Sequence, residues 1–188
     1  MSCQLDEYNI PPLRKLYPSS KSTCTSLQSF IQKQPHHRLS YSHIQIFISD
    51  MIQQIRYIES QQLCIPFFSI DDILVLTFNE NNDTFIHFLY TNQDKIITEL
   101  SESNHHYELA IMIDKSEKFL PPELKEVNTL PKNIHRKSGY YSLGIMTCHL
   151  YKKSFEKMEY KQVYPLPFYW FVFYATTTDP HKRFLLEE

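Results

Sequence analysis

FLPPEL (residues 119–124) and LPKNIHRKSGYYSLGIMTCHL (residues 130–150) enclose both glycines of the chain, Gly139 and Gly144. Their G-x-x-x-x-G spacing is that of a phosphate-binding loop, yet Ile145-Met146 follows where such a loop needs Lys and then Ser or Thr. The basic cluster from Lys132 to Lys137, which includes His135 and Arg136, therefore reads as a solvated loop and not as a phosphate site. A net charge of -2 gives no electrostatic basis for binding DNA or RNA. No G-x-S-x-G or H-E-x-x-H occurs anywhere in the chain.

Downstream, Tyr151 to Lys161 is a charged helical extension or loop, interrupted by Pro165-Leu166-Pro167. Phe168 to Thr176 (FYWFVFYAT) reads as a final buried helix, since a base-stacking surface would interleave basic residues and this run has none. Upstream lies the clearest helix, capped by Ser40 and running from Tyr41 to Ser60. Ile44, Ile48, Met51, Ile52, Ile55 and Ile58 recur at three- and four-residue steps, with Ser49, Asp50, Gln53, Gln54 and Arg56 between them. A shorter helix from Ser26 to Lys33 precedes it, apolar at Leu27, Phe30 and Ile31 and capped by Thr25 or Ser26.

Leu63 to Phe78 predicts a short strand, a bend at Pro66 and a second strand from Ile73. Thr84 to Tyr90 is the return strand of a hairpin, and residues 95–118 read as a surface loop with one short strand, Tyr107 to Ile113. Residues 1–24, with three prolines, form an N-terminal arm that packs along a single domain at 25–188. Its apolar residues, Leu5, Tyr8, Ile10, Leu13, Leu16 and Tyr17, are too many for a free tail.

The histidine pairs His36-His37 and His105-His106 have no matched Cys or His set and read as exposed residues. Asp71-Asp72 is the one acidic pair that could face a metal, and it reads equally well as a turn cap. Cys3, Cys24, Cys64 and Cys148 show no C-x-x-C pairing and no signal peptide precedes them, which predicts reduced thiols in a cytoplasmic protein. The longest apolar run, Phe168 to Ala175, is far below the ~20 residues of a membrane span.

Lys137-Ser-Gly-Tyr-Tyr-Ser-Leu-Gly-Ile145 resembles the K-S-D-V-W-S-L-G-I segment that opens the central helix of the protein kinase C-terminal lobe, and Phe119-Leu-Pro-Pro-Glu123 resembles the A-P-E element upstream of it. Asp179-Pro-His-Lys-Arg183 is similar to the D-P-x-x-R context of the arginine that pairs with the A-P-E glutamate. The long helix, loop and hairpin also follow in the order of that lobe. The resemblance covers about residues 25–188 and implies a mainly α fold with a small β-hairpin. The nearest precedent in architecture is the kinase non-catalytic C-lobe domain, a protein-binding module.

Laid over the pattern, the H-R-D triplet becomes Ile65-Pro66-Phe67, the catalytic-loop lysine becomes Ser69 and the metal-binding asparagine becomes Asp72. The D-F-G position falls near Leu89-Tyr90-Thr91, with Asp94 the nearest acid. Phenylalanine cannot accept a hydroxyl proton, so the resemblance implies a pseudokinase lobe with no catalytic residue, no metal, no cofactor and no nucleotide. Gly139 stands where kinases use an aspartate to hold the catalytic loop, and that anchor is expected to have drifted. Structural roles fall to Glu123, Asp179, Arg183 and Gly144.

A missing N-lobe would expose Pro66, Phe67, Phe68, Phe88 and Tyr90, which are expected to bind a protein partner. The function implied is an interaction or scaffolding module. The alternative is a structural subunit of a large assembly such as the virion of a large DNA virus. Scarcity of Gly and Ala beside abundant Ile, Asn, Tyr and Lys is in keeping with an AT-rich viral genome.

Overall fold

The computed structural model describes residues 22–80, 83–101, 105–151 and 166–186. The expected arm is thus described only from Ser22, and the body of the charged extension after Tyr151 lies outside the described residues. The fold combines helices with antiparallel sheets. Five α-helices occur among the described residues: α1 (Leu27–Lys33), α2 (Tyr41–Ser60), α3 (Pro122–Lys125), α4 (Ser138–Tyr151) and α5 (Leu166–Ala175).

Both N-caps upstream act as their sequences demand. The Ser26 side chain accepts from the Ser29 amide, and that of Ser40 accepts from the His43 amide at 3.2 Å. The isoleucine stripe of α2 is buried against α4, α5 and the hairpin, forming the main core with Phe47, Phe68, Phe88, Leu143 and Phe171.

Strands are more numerous than one hairpin. β3 (Ile73–Glu80) and β4 (Asp83–Tyr90) pair in antiparallel register from Ile73 opposite Tyr90 to Glu80 opposite Asp83. β1 (Ser22–Ser26) adds a third strand on the far side of β3, with Ser22 opposite Phe78. A second sheet runs β2 (Leu63–Cys64), β5 (Ile97–Ser101), β6 (His106–Leu109), β7 (Lys132–His135). The expectation of a mainly α chain is corrected accordingly. These strands have two to five residues and partners up to 35 positions away, so little periodicity announces them. The second sheet covers a smaller core of Phe67, Tyr107, Leu109, Leu120, Leu124, Val127 and Ile134.

The polar face expected of α2 is corrected at two positions, because Asp50 and Gln54 are buried. β4 is an edge strand, and an edge buried against a helix leaves amides and carbonyls without ladder partners. Asp50 Oδ2 accepts the Phe88 amide at 2.8 Å. The Gln54 amide group donates to the Phe88 carbonyl and accepts from the Tyr90 amide, both at 2.8 Å. The two side chains serve as the missing neighbour strand. Gln54→Leu is expected to cost about 2–4 kcal/mol, because two buried backbone groups lose their partners. Urea unfolding checks it: the midpoint should fall at constant m, and an unchanged midpoint would refute the assignment.

Candidate functional site

The segment from Ile65 to Asp72 is built into the protein and not laid on it. Pro66, Phe67, Phe68, Phe88 and Tyr90 are all buried, with Phe67 6% exposed and Phe68 and Phe88 fully enclosed. The exposed aromatic face expected here is therefore corrected. Phe68 meets the Tyr90 ring edge-on at 5.4 Å, and Phe88 meets Phe47 at 5.2 Å. Phe67 belongs to the second core, with the Lys95 ammonium 4.4 Å from its ring centroid. A hairpin that returns its apolar face to α2 and a sheet that closes over Phe67 cover the face that was expected to lie open.

Helix α4 fixes this segment. The Ser138 hydroxyl donates to the Pro66 carbonyl at 3.0 Å, and Ser142 Oγ accepts the Phe68 amide at 2.7 Å. Between them, the Gly139 backbone passes so close to Ile65 that an added Cβ would stand 2.1 Å from the Ile65 carbonyl oxygen. The expectation of a drifted anchor is corrected: two hydroxyls and a close backbone approach hold the loop. Gly144, one turn on, makes room for Thr176 and Ala175 at the end of α5.

Asp72 is 4% exposed and its carboxylate is occupied on both oxygens. Oδ1 accepts from Asn92 at 2.7 Å, while Oδ2 accepts from the Ser69 amide at 2.9 Å and pairs with the Lys95 ammonium at 2.8 Å. This is a turn cap with a bound ammonium. Asp71 is exposed. Lys95 was not singled out by the sequence, for nothing local marks a lysine that folds back 23 residues.

The FLPPEL stretch and the chain end meet in one clamp. Arg183 is 0% exposed, and its guanidinium grips Glu123 with both forks, Nη1 to Oε1 at 2.5 Å and Nη2 to Oε2 at 3.0 Å. Nε donates to the Thr177 carbonyl at 2.7 Å, Nη2 to Thr178 at 3.1 Å and Nη1 to Lys137 at 3.3 Å. Every one of the five guanidinium donors thus has an acceptor. The Tyr141 ring lies 5.0 Å away. The Asp179 side chain caps the turn Pro180–Lys182 by accepting the His181 amide, which sets the path that delivers Arg183 inward.

Four histidines gather beside the clamp. Strand pairing sets His106 opposite His135, and the Arg136 amide donates to the His105 carbonyl at 2.9 Å. Ring centroids of His135 and His181 are 4.5 Å apart, those of His106 and His135 5.3 Å, and those of His105 and His135 6.4 Å. Nothing in the sequence groups these residues, and Lys132 to Lys137 has the composition of a solvated loop. In fact Lys132–His135 is a strand whose Ile134 and His135 are buried. Burial, and then the neighbouring His181, His106, Lys137 and His105, press the His135 pKa down to about 4. His36 and His37 are exposed, as expected of them.

Helix α5 is buried at Phe168, Tyr169, Phe171, Val172 and Ala175, but the expectation of a wholly buried helix is corrected at Trp170, 37% exposed, and Phe173, 50% exposed. Trp170 lies 5.7 Å from both Phe173 and Tyr174, and Tyr174 lies 3.9 Å from Phe184, itself 39% exposed. Beside them Tyr169, Phe173 and Thr176 to Thr178 line an open cleft of ≈ 270 Å³. Among the described residues no group of three or more His, Cys, Asp or Glu is arranged to hold a metal, and no helix is long and apolar enough to cross a membrane.

No protein-family model matches the chain, and comparison with curated proteins returns no match.

Proposed function

We propose that the chain is a degenerate protein kinase C-lobe that acts as a non-catalytic protein–protein interaction or scaffolding module. One observation carries the reading: the Glu123–Arg183 clamp joins, across sixty residues, the two positions that the kinase pattern pairs. The segment in the place of the catalytic loop supports it further. Phe67 is packed in a core, and the Asp72 carboxylate is taken up by Lys95, Asn92 and the Ser69 amide, so neither is poised to accept a proton or hold magnesium. The interaction role is supported by the exposed aromatic group of Trp170, Phe173 and Phe184, since contiguous exposed apolar surface marks contact sites. Cys24, Cys64 and Cys148 form no disulfide among the described residues, which suits a cytoplasmic setting.

The non-catalytic half of the reading is tested by thermal unfolding with and without millimolar Mg-ATP. A ligand at 100 times its Kd would stabilise the fold by about 2.7 kcal/mol and raise Tm by several degrees. No rise is expected. A saturable rise would restore a nucleotide site and overturn the proposal.

A further inference from the structure

The histidine cluster couples three parts of the fold: the β6–β7 edge, the N-terminus of α4 and the C-terminal turn that precedes Arg183. The central member is His135. Its Nδ1 accepts the Lys137 amide at 3.2 Å, which requires a lone pair there and therefore the neutral ring with its proton on Nε2. The Lys137 carbonyl in turn accepts the Tyr140 amide at the start of α4 and also Nη1 of Arg183. The Lys137 ammonium donates to the His181 carbonyl at 3.4 Å, and the His181 ring stands edge-on to His135. One residue, Lys137, thus touches His135, His181 and Arg183.

A proton on Nδ1 would set one N–H against another and break this arrangement at its centre. The groups facing the ring offer no compensation. His105 and His106 come from the β6 end, His181 from the C-terminal turn, and Arg136 and Lys137 from the turn after β7; the charges acting on His135 are all cationic. Acids on the surrounding elements are engaged elsewhere: Glu123 with Arg183, Asp179 with the His181 amide and Lys182, and Glu59 with the Tyr140 hydroxyl. Glu108 is exposed on β6, opposite Asn133.

We propose that His135 is an acid-sensitive latch: its protonation releases the turn Pro180–Lys182 and loosens the Arg183–Glu123 clamp. This inference does not depend on a kinase relationship. The sign follows from linkage. The folded pKa of His135, about 4, lies below the ordinary value of 6.5, so the unfolded or released form binds the extra proton. The stabilisation is complete above pH 6.5 and is lost as pH falls toward 4.

Hydrogen exchange of the full chain between pH 7.5 and 5, corrected for intrinsic rates, tests the latch at the amides of His181, Lys182 and Arg183. These donate within the turn, to Asp179 and Pro180. Their protection is expected to fall by up to tenfold per pH unit below 6.5, the dependence of a single-proton linkage. His135→Asn keeps an acceptor toward the Lys137 amide but takes no proton, and its protection should change less than about twofold under the same linkage. Flat protection in the parent chain, or an equal loss in both proteins, would overturn the proposal. If the variant does not fold, the His135 ring is followed by NMR in the parent protein. An apparent midpoint well below 6 supports the latch, and an ordinary midpoint near 6.5 contradicts it.

Discussion

Glu123→Ala is expected to lower the unfolding free energy by about 3–5 kcal/mol, because it strands a guanidinium inside the protein. That is a large part of the roughly 5–15 kcal/mol that holds an ordinary domain together. The two ends of the clamp are not equivalent. Arg183 has 0% side-chain exposure, whereas Glu123 keeps 20% and can turn to water. Arg183→Met should therefore cost less than Glu123→Ala, even though it removes three contacts to backbone carbonyls as well. The double variant should cost clearly less than the sum of the two. Urea unfolding of the four proteins measures all of this. A loss below about 1 kcal/mol for Glu123→Ala would mean a pair that behaves as if it lay on the surface.

Gly139→Ala tests the anchoring of the loop at Ile65, and here two effects oppose each other. Inside a helix, alanine is favoured over glycine by up to about 1 kcal/mol. The added methyl, however, would stand 2.1 Å from the Ile65 carbonyl oxygen and 3.7 Å from the Phe68 ring. The obstacle is backbone, already fixed by Ser138 and Ser142, so relief requires α4 and the loop to separate. Overpacking of this kind costs about 1–3 kcal/mol and sometimes more, so the expected outcome is a net loss of about 2 kcal/mol. Gly144→Ala is the internal comparison. Its nearest neighbour is the Thr176 methyl at 2.7 Å, on a half-buried side chain that can turn, and its loss should be smaller. Stabilisation by Gly139→Ala would refute the close approach.

What could be read from sequence was whatever a residue announces by its own periodicity or cap. Ser40 followed by isoleucines at three- and four-residue steps defines α2, and the run from Ile73 to Tyr90 defines a hairpin. Arg183 was marked only by the likeness of Asp179-Pro-His-Lys-Arg183 to a D-P-x-x-R context, which named Glu123 as its partner; the turn that carries it was not. The rest depends on partners distant in the chain. Asp50 and Gln54 have the composition of a solvated face, and only the edge of β4, more than 30 residues on, makes them interior groups. Phe67 and Phe88 carry no local mark of burial either, because β5, β6 and β7 are too short and polar to show themselves before they pair. The histidine cluster is assembled from positions 105, 106, 135 and 181 by one strand register and one turn. No spacing in the sequence encodes it.

The aromatic surface moves in consequence from the loop at Phe67 to α5 and the chain end. A charge placed at Phe67 or Phe88 is now expected to unfold the protein, whereas Trp170 and Phe173 can be changed at the surface. The most direct test of the binding-module reading is capture of the tagged full chain from the cells that express it, with stoichiometry by mass spectrometry, beside a Trp170→Ser/Phe173→Ser variant of unchanged circular dichroism. One or two protein partners at near-equimolar ratio, lost from the variant, are the predicted result. Partners retained by the variant, or a chain recovered alone with bound nucleotide, would contradict it.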